Sequence, residues 1–299
     1  MAVLLKNVAI VGASGTIGRI VLEALLGSSK FNVTVISREE SEAVFPRGVK
    51  VLKIKFSGSS LETAFQGQDV VISTVGAAAF HEQKDFVDAA IRAGVQRFIP
   101  SEFSSNSQND AVLQLLPLFG AKKELIEYLK SKESYGLTWT AVATSGLFDW
   151  GIRSGFLGFD IENLTATIWD GGDKNFTLTN EKQLGQSVIS VLEHPQGTSN
   201  QYLYVASVET NQKEIVTALE KATGARWTLK DSTTEEQVKD GFAKLSAGDF
   251  SGALTLVRVT CFGNTPGLHA NYCKEEKLAN SLLGLTMESV TSTIKSIIG

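Results

Sequence analysis

NVAIVGASGTIG, residues 7 to 18, decides the fold of this chain. The small apolar run Val8 to Val11 reads as a buried strand, and it leads straight into glycines at positions 12, 15 and 18. Each glycine has a separate physical reason. Gly12 permits the tight turn off the strand, Gly15 lets backbone N–H groups approach a pyrophosphate, and Gly18 lets the next helix pack against the sheet. Ile17, Val21, Leu22 and Leu25 give that helix its apolar face. Phosphates placed here meet unpaired N–H groups and the positive end of a helix dipole. Ser14, Thr16 and Ile17 lie within the turn and join the three glycines as candidate cofactor contacts. The plainer alternative is an ordinary strand-to-helix turn; the flanking strand and helix favour nucleotide binding.

Outward from that turn, strand and helix patterns alternate. Strands are expected at 8–11, 33–37, 49–54, 70–74, 97–99 and 138–142, with helical periodicity between them. Short β-branched runs separated by amphipathic helices imply a parallel sheet covered on both faces, whose ligands bind beyond the carboxyl ends of the strands.

Composition narrows the classes. The 299 residues carry a formal net charge of -4, 43% apolar and 20% charged residues, an ordinary globular balance that argues against nucleic-acid or anionic-membrane partners. No run approaches the ~18 apolar residues that span a bilayer. The apolar N-terminus has no basic leader and passes directly into the glycine turn, so it reads as the first strand rather than a signal peptide. Cys261 and Cys273 form no metal framework and are expected as reduced thiols in a cytoplasmic protein. His81, His194 and His269 have no ligand spacing among themselves or with the cysteines, so no metal site is expected. A GxSxG elbow is absent around Ser145.

Ser37-Arg38 stands about 20 residues past the last glycine, where an NAD-binding chain usually carries an acidic residue for the ribose hydroxyls. An arginine suits a 2′-phosphate, because its planar fork gives charge-assisted bidentate bonds. This favours NADPH over the alternative of a surface arginine paired with Glu39 or Glu40. After the fourth strand, the small residues Ser73 to Ala79 let a cofactor lie against the backbone, which brings in Thr74, Val75 and Gly76.

RFIPSEFSSN at 97–106 then gives the chain a clear likeness. It resembles the NmrA-like and isoflavone reductase-like group of atypical short-chain reductases, which includes plant phenylcoumaran benzylic ether and pinoresinol-lariciresinol reductases. The match rests on GASGTIG, Arg38, Gln83, the RFxPSEF segment containing Ser101, Glu102 and Phe103, Lys122 of AKKELIEYL, and the closing LGLTMESVTSTI. Three features depart from the family pattern: Ser104 replaces the usual glycine after PSEF, the helix after Lys122 is extended by a few residues before Gly136, and GLFDWGI at 146–152 is closer to fungal members. The resemblance implies that Gln83, Ser101, Glu102, Phe103 and Lys122 also attend the cofactor, and that Lys122 is catalytic.

Periodicity supports the lysine independently. Leu118, Lys122, Leu125, Ile126 and Leu129 share one helical face, while Lys123 and Lys130 point away. Burial depresses a lysine's pKa and equips it for proton transfer. The alternatives are snorkelling past the core or pairing with Glu102. A rival on the same helix is Tyr128-xxx-Lys132, the spacing of ordinary short-chain dehydrogenases; a one-turn match arises easily by chance.

From Trp150 the rhythm changes. Glycines at 151, 155 and 158 alternate with apolar residues, too glycine-rich for a stable helix and too apolar for an exposed loop. A substrate-covering segment is expected, with Phe148, Trp150 and Phe156 as walls, joined by Phe103 and by His269 from a C-terminal loop. The alternative is that these aromatics fill core. A strand and helix at 176–192 and a strand at 202–206 are expected to rejoin the nucleotide sheet. The reading is therefore an α/β, Rossmann-like doubly wound parallel sheet with a smaller C-terminal substrate-binding domain. Residues 1–150 form the NADP(H)-binding domain, rejoined by 180–206; residues 151–179 and 207–299 form the substrate domain, mostly a helical lid. The expected activity is NADPH-dependent reduction of a small aromatic or conjugated metabolite (ketone, enone or benzylic ether) of secondary metabolism; a homodimer is compatible with it. Two alternatives share the scaffold: a redox-sensing regulator that binds NADP(H) without turnover, and a redox-neutral isomerase.

Overall fold

The computed structural model describes residues 5 to 299, so the first four residues of the expected 1–150 domain lie outside the described residues. In chain order the strands are β1 (Asn7–Val11), β2 (Asn32–Arg38), β3 (Lys50–Ile54), β4 (Val70–Ser73), β5 (Arg97–Ile99), β6 (Thr138–Ala143), β7 (Gly146–Leu147), β8 (Phe159–Asp160), β9 (Thr165–Trp169), β10 (Phe176–Thr179), β11 (Gln201–Tyr204), β12 (Val208–Thr210) and β13 (Thr228–Ser232). Seven form one sheet in the order β11-β6-β5-β4-β1-β2-β3. The β3–β2, β2–β1, β1–β4, β4–β5 and β5–β6 pairs are parallel. The strand order reverses direction between β1 and β4, the switch point beyond which doubly wound sheets hold their ligands.

Buried on both faces, the central strands are continuously apolar: Val8, Ala9, Ile10, Val70, Val71 and Ile72 are fully enclosed. Helix Thr16–Ser28 buries Gly18, Val21, Leu22 and Leu25, one stripe at helical spacing, and stops where Ser29 turns left-handed at φ 54°. The chain divides into two compact units. The first runs through Phe103 and resumes at Gly120–Val142 and Leu184–Leu203; the second holds Ser104–Phe119, Ala143–Gln183 and Tyr204–Gly299. This division departs from the expected boundary at Ser104–Phe119 and after Val142.

In the first unit, the returning helix Glu181–Glu193 packs so tightly on helix Thr16–Ser28 that a Cβ on Gly185 would stand 2.5 Å from the Ala24 Cβ. Arg97 bolts the same region together from inside. Only 2% exposed, it donates to Thr138 Oγ1 at 2.7 Å, Thr140 Oγ1 at 2.7 Å, Thr198 Oγ1 at 3.2 Å and the Pro195 carbonyl at 2.5 Å. Burial without a carboxylate pulls its pKa down to about 10.

The second unit corrects two expectations. It is not a helical lid, since it carries the three-stranded sheets β12-β10-β7 and β13-β9-β8, and it is about as long as the first. Strand β10 pairs with β7 and β12 rather than rejoining the nucleotide sheet; only the helix and strand that follow it return. Residues 148–153 also form a short helix despite their glycine. A Cβ on Gly151 would meet Leu157 Cγ at 2.6 Å, so the missing side chain is what admits Leu157 against the helix.

Candidate active site

The glycine turn is built as its spacing requires. Gly12 has φ 86°, and a Cβ there would stand 2.9 Å from the Thr74 and Val75 backbone; a Cβ on Gly18 would lie 2.6 Å from the Ala13 Cα. These two glycines are therefore forced by the protein's own packing. Gly15 is different: a Cβ there meets nothing closer than 3.6 Å. It sits at the N-cap of helix Thr16–Ser28, which has no side-chain cap and no acidic residue in its first turn. An uncapped, exposed helix start beside an open glycine fits an anionic pyrophosphate. A pocket of about 270 Å³ opens there, lined among others by Gly12, Ser14, Gly15, Arg38, Val75 and Gly76.

Arg38 reaches the pocket from the end of β2. Its Nη2 is paired with Glu82 Oε1, and its guanidinium carbon lies 4.9 Å over the Phe56 ring. The competing carboxylate is thus Glu82, 44 residues away, rather than Glu39 or Glu40. Thr74 donates its hydroxyl to the Val11 carbonyl at 2.9 Å, so it lines the pocket by its backbone. Gln83 is fully buried. Its Oε1 accepts from Ser101 N at 2.9 Å and its Nε2 donates to the Phe80 carbonyl at 3.4 Å, which makes it a brace between two loops. Ser101 donates to the Val75 carbonyl at 2.8 Å, completing that brace.

Lys122 stands in the first turn of helix Gly120–Lys132, whose buried face is Lys122, Leu125, Ile126 and Leu129. The side chain is buried. Nζ donates to the Glu102 carbonyl at 2.8 Å and sits 4.8 Å from the Phe80 ring centroid. Burial lowers its pKa to about 8, partly opposed by the charge of Glu102. Glu102 is in turn held by the Tyr202 hydroxyl, which donates to Oε2 at 3.0 Å. The turn after β4, the PSEF loop, the Lys122 helix and the returning strand β11 therefore converge on one ammonium.

The rival pair resolves otherwise. Tyr128 donates to Asp88 Oδ1 at 2.6 Å, and Lys132 lies 3.6 Å from the same oxygen. Tyr128 is raised in pKa by desolvation and by Asp88, the opposite of what a proton-donating phenol needs. Among the residues expected to wall the substrate, Phe148 is fully enclosed and Phe103 is 5% exposed, so Phe148 fills core. Trp150 and Phe156 form a half-exposed pair with centroids 5.4 Å apart. His269 is exposed, with Nδ1 2.8 Å from Glu276 Oε1. Cys261 and Cys273 are free; burial pushes the Cys261 thiol up to about 11. Among the described residues no group of three or more His, Cys, Asp or Glu is placed to hold a metal, and no helix is long and apolar enough to cross a membrane. Phe56, Phe80, Glu82 and Tyr202 are site residues the sequence did not flag. Phe80 and Glu82 lie three and one residues before Gln83, and that proximity was the available signal.

The fold and this constellation define a reductase-type doubly wound scaffold, and comparison with known proteins specifies the family. The NmrA-like family model matches residues 5–245: the chain belongs to the NmrA-like family. It is 37% identical over 296 residues to the oxidoreductase aprR of Aspergillus flavus, covering 98% of each chain. The phenylcoumaran benzylic ether reductase IRL1 of Ginkgo biloba is 28% identical over 225 residues, covering 67% of this chain and 69% of the relative. Among solved structures, a ternary complex of leucoanthocyanidin reductase from Vitis vinifera superposes with a TM-score of 0.78 at 18% identity, covering 98% of this chain and 99% of that one. AtPrR2 with NADP+ and (+)pinoresinol gives 0.78 at 20% identity, covering 100% of both chains.

Proposed function

We propose that this protein is an NADPH-dependent reductase of a small aromatic or conjugated metabolite (a ketone, enone or benzylic ether), with Lys122 as its proton donor. The observation that carries the reading is the Lys122 ammonium: buried, 2.8 Å from the Glu102 carbonyl, and lowered to about 8. The aprR relative is named an oxidoreductase, and the Ginkgo relative acts on a benzylic ether by its name. Solved relatives of the same fold are complexes with NADPH, or with NADP+ and pinoresinol.

The turn Gly12 to Gly18, with its uncapped helix, would receive the pyrophosphate, and Arg38 the 2′-phosphate. Val75, Gly76, Ser101 and Phe103 would border the rest of the coenzyme. When bound, NADPH supplies the hydride. Lys122 Nζ supplies a proton or holds the developing oxyanion charge, and its environment keeps it protonated near neutrality yet willing to give the proton up. Gln83 and Tyr202 hold the loop and the carboxylate around it.

NADPH consumption against a panel of aromatic ketones, enones and benzylic ethers tests the reading, with Lys122→Met measured alongside. We expect turnover by the wild type and a loss of about 100-fold or more in kcat for the variant, the scale of one general acid. Full turnover by Lys122→Met rejects the lysine assignment. Coenzyme binding with no consumption across the panel rejects the enzyme reading in favour of a sensor.

A further inference from the structure

Arg38 already has an anion. Among the described residues its acidic partner is Glu82, which closes the 3-10 turn Ala77–Glu82 directly after the small-residue loop. The Glu82 side chain is 22% exposed and that of Arg38 44%. Phe56 underlies the guanidinium carbon at 4.9 Å, and Arg38 and Phe56 both line the pocket of the glycine turn.

The two nicotinamide coenzymes meet this pair differently. A 2′-phosphate is multiply negative, must compete with Glu82 for the same guanidinium, and is repelled by the carboxylate it displaces. A free 2′-hydroxyl carries a proton, and an ionised carboxylate is an acceptor only. NADH brings no charge to this position and therefore leaves the Arg38–Glu82 pair intact.

We propose that Glu82 is a coenzyme-discriminating residue: a resident counter-charge on Arg38 that weakens binding of the 2′-phosphate and keeps NADH usable. The inference rests on Arg38 being the 2′-phosphate site. It has a direction opposite to a merely structural role. If Glu82 only positioned Arg38, its removal would weaken NADPH; as a competitor, its removal strengthens it.

The test is the dissociation constants of NADPH and NADH, by titration calorimetry on the full-length protein, for wild type, Glu82→Gln and Arg38→Ala at low and high salt. Glu82→Gln is expected to tighten NADPH about threefold, with NADH unchanged or weaker, the gain shrinking as salt screens the pair. An affinity preference for NADPH over NADH that is unchanged or smaller in Glu82→Gln, while Arg38→Ala still loses NADPH, overturns the inference and spares the coenzyme reading. An unchanged ratio in Arg38→Ala overturns both.

Discussion

At Lys122, the energetics turn on a cation enclosed by the fold, with a backbone carbonyl at 2.8 Å and an aromatic face at 4.8 Å. Neither repays the lost hydration in full, so burial dominates and the pKa falls to about 8. Two pH effects follow. As proton donor, Lys122 should give kcat a limb that declines as pH rises through about 8, absent in Lys122→Met; a flat profile across that range counts against the role. The stability effect has the other sign. The ordinary value is 10.5, so between about 8 and 10.5 the unfolded chain binds more protons than the folded one, and this residue's contribution to stability improves with pH. Denaturant melts of wild type and Lys122→Met across that window should diverge in slope. Arg38 carries the third residue-level expectation: Arg38→Ala should lower NADPH affinity about 10- to 150-fold, from a charge-assisted contact worth roughly 1.5–3 kcal/mol, with NADH affinity as the control.

Elements were legible where one local rule governs them. The strands β1 to β6 fell within a residue or so of expectation, because short runs rich in β-branched and apolar residues stand out between helical patterns, and the Lys122 helix followed from its stripe. The glycine turn was legible because it is steric: Gly12 and Gly18 admit no Cβ. The internal partners of Gln83 and the enclosure of Phe148 were not legible for one reason. Sequence can say that a polar or aromatic side chain lies near a loop, but not that Ser101 N or the core has already claimed it. The Arg38–Glu82 pair was hidden because it spans 44 positions. Strand β10 was misplaced because its sheet partners, β7 and β12, are a two-residue and a three-residue strand without periodicity to read. The element-level prediction is Gly18→Val. With the Ala13 Cα 2.6 Å from even a Cβ, the turn must open, costing about 1–3 kcal/mol and coenzyme binding together; a variant that binds NADPH normally contradicts the turn's geometry.

Across the whole molecule, the nucleotide unit is assembled from three separated stretches, with Arg97 joining β5, β6 and the 195–198 loop that leads into β11. Although Arg97 belongs to the RFIPSEF segment, its donors all go to the chain, so its part is mechanical. Arg97→Met should destabilise folding by about 2–4 kcal/mol, through lost charged hydrogen bonds and acceptors left buried, while kcat per folded molecule stays near wild type. A fall in kcat with an unchanged melting temperature contradicts this. The same discontinuity governs biogenesis. The β6 edge finds its neighbour β11 only after residue 204 has left the ribosome. At roughly 5–20 residues per second, the stretch from the end of β6 to the end of β11 leaves an incomplete sheet waiting about 3 to 12 s during translation, an interval in which nascent-chain chaperones have an unpaired strand to shield.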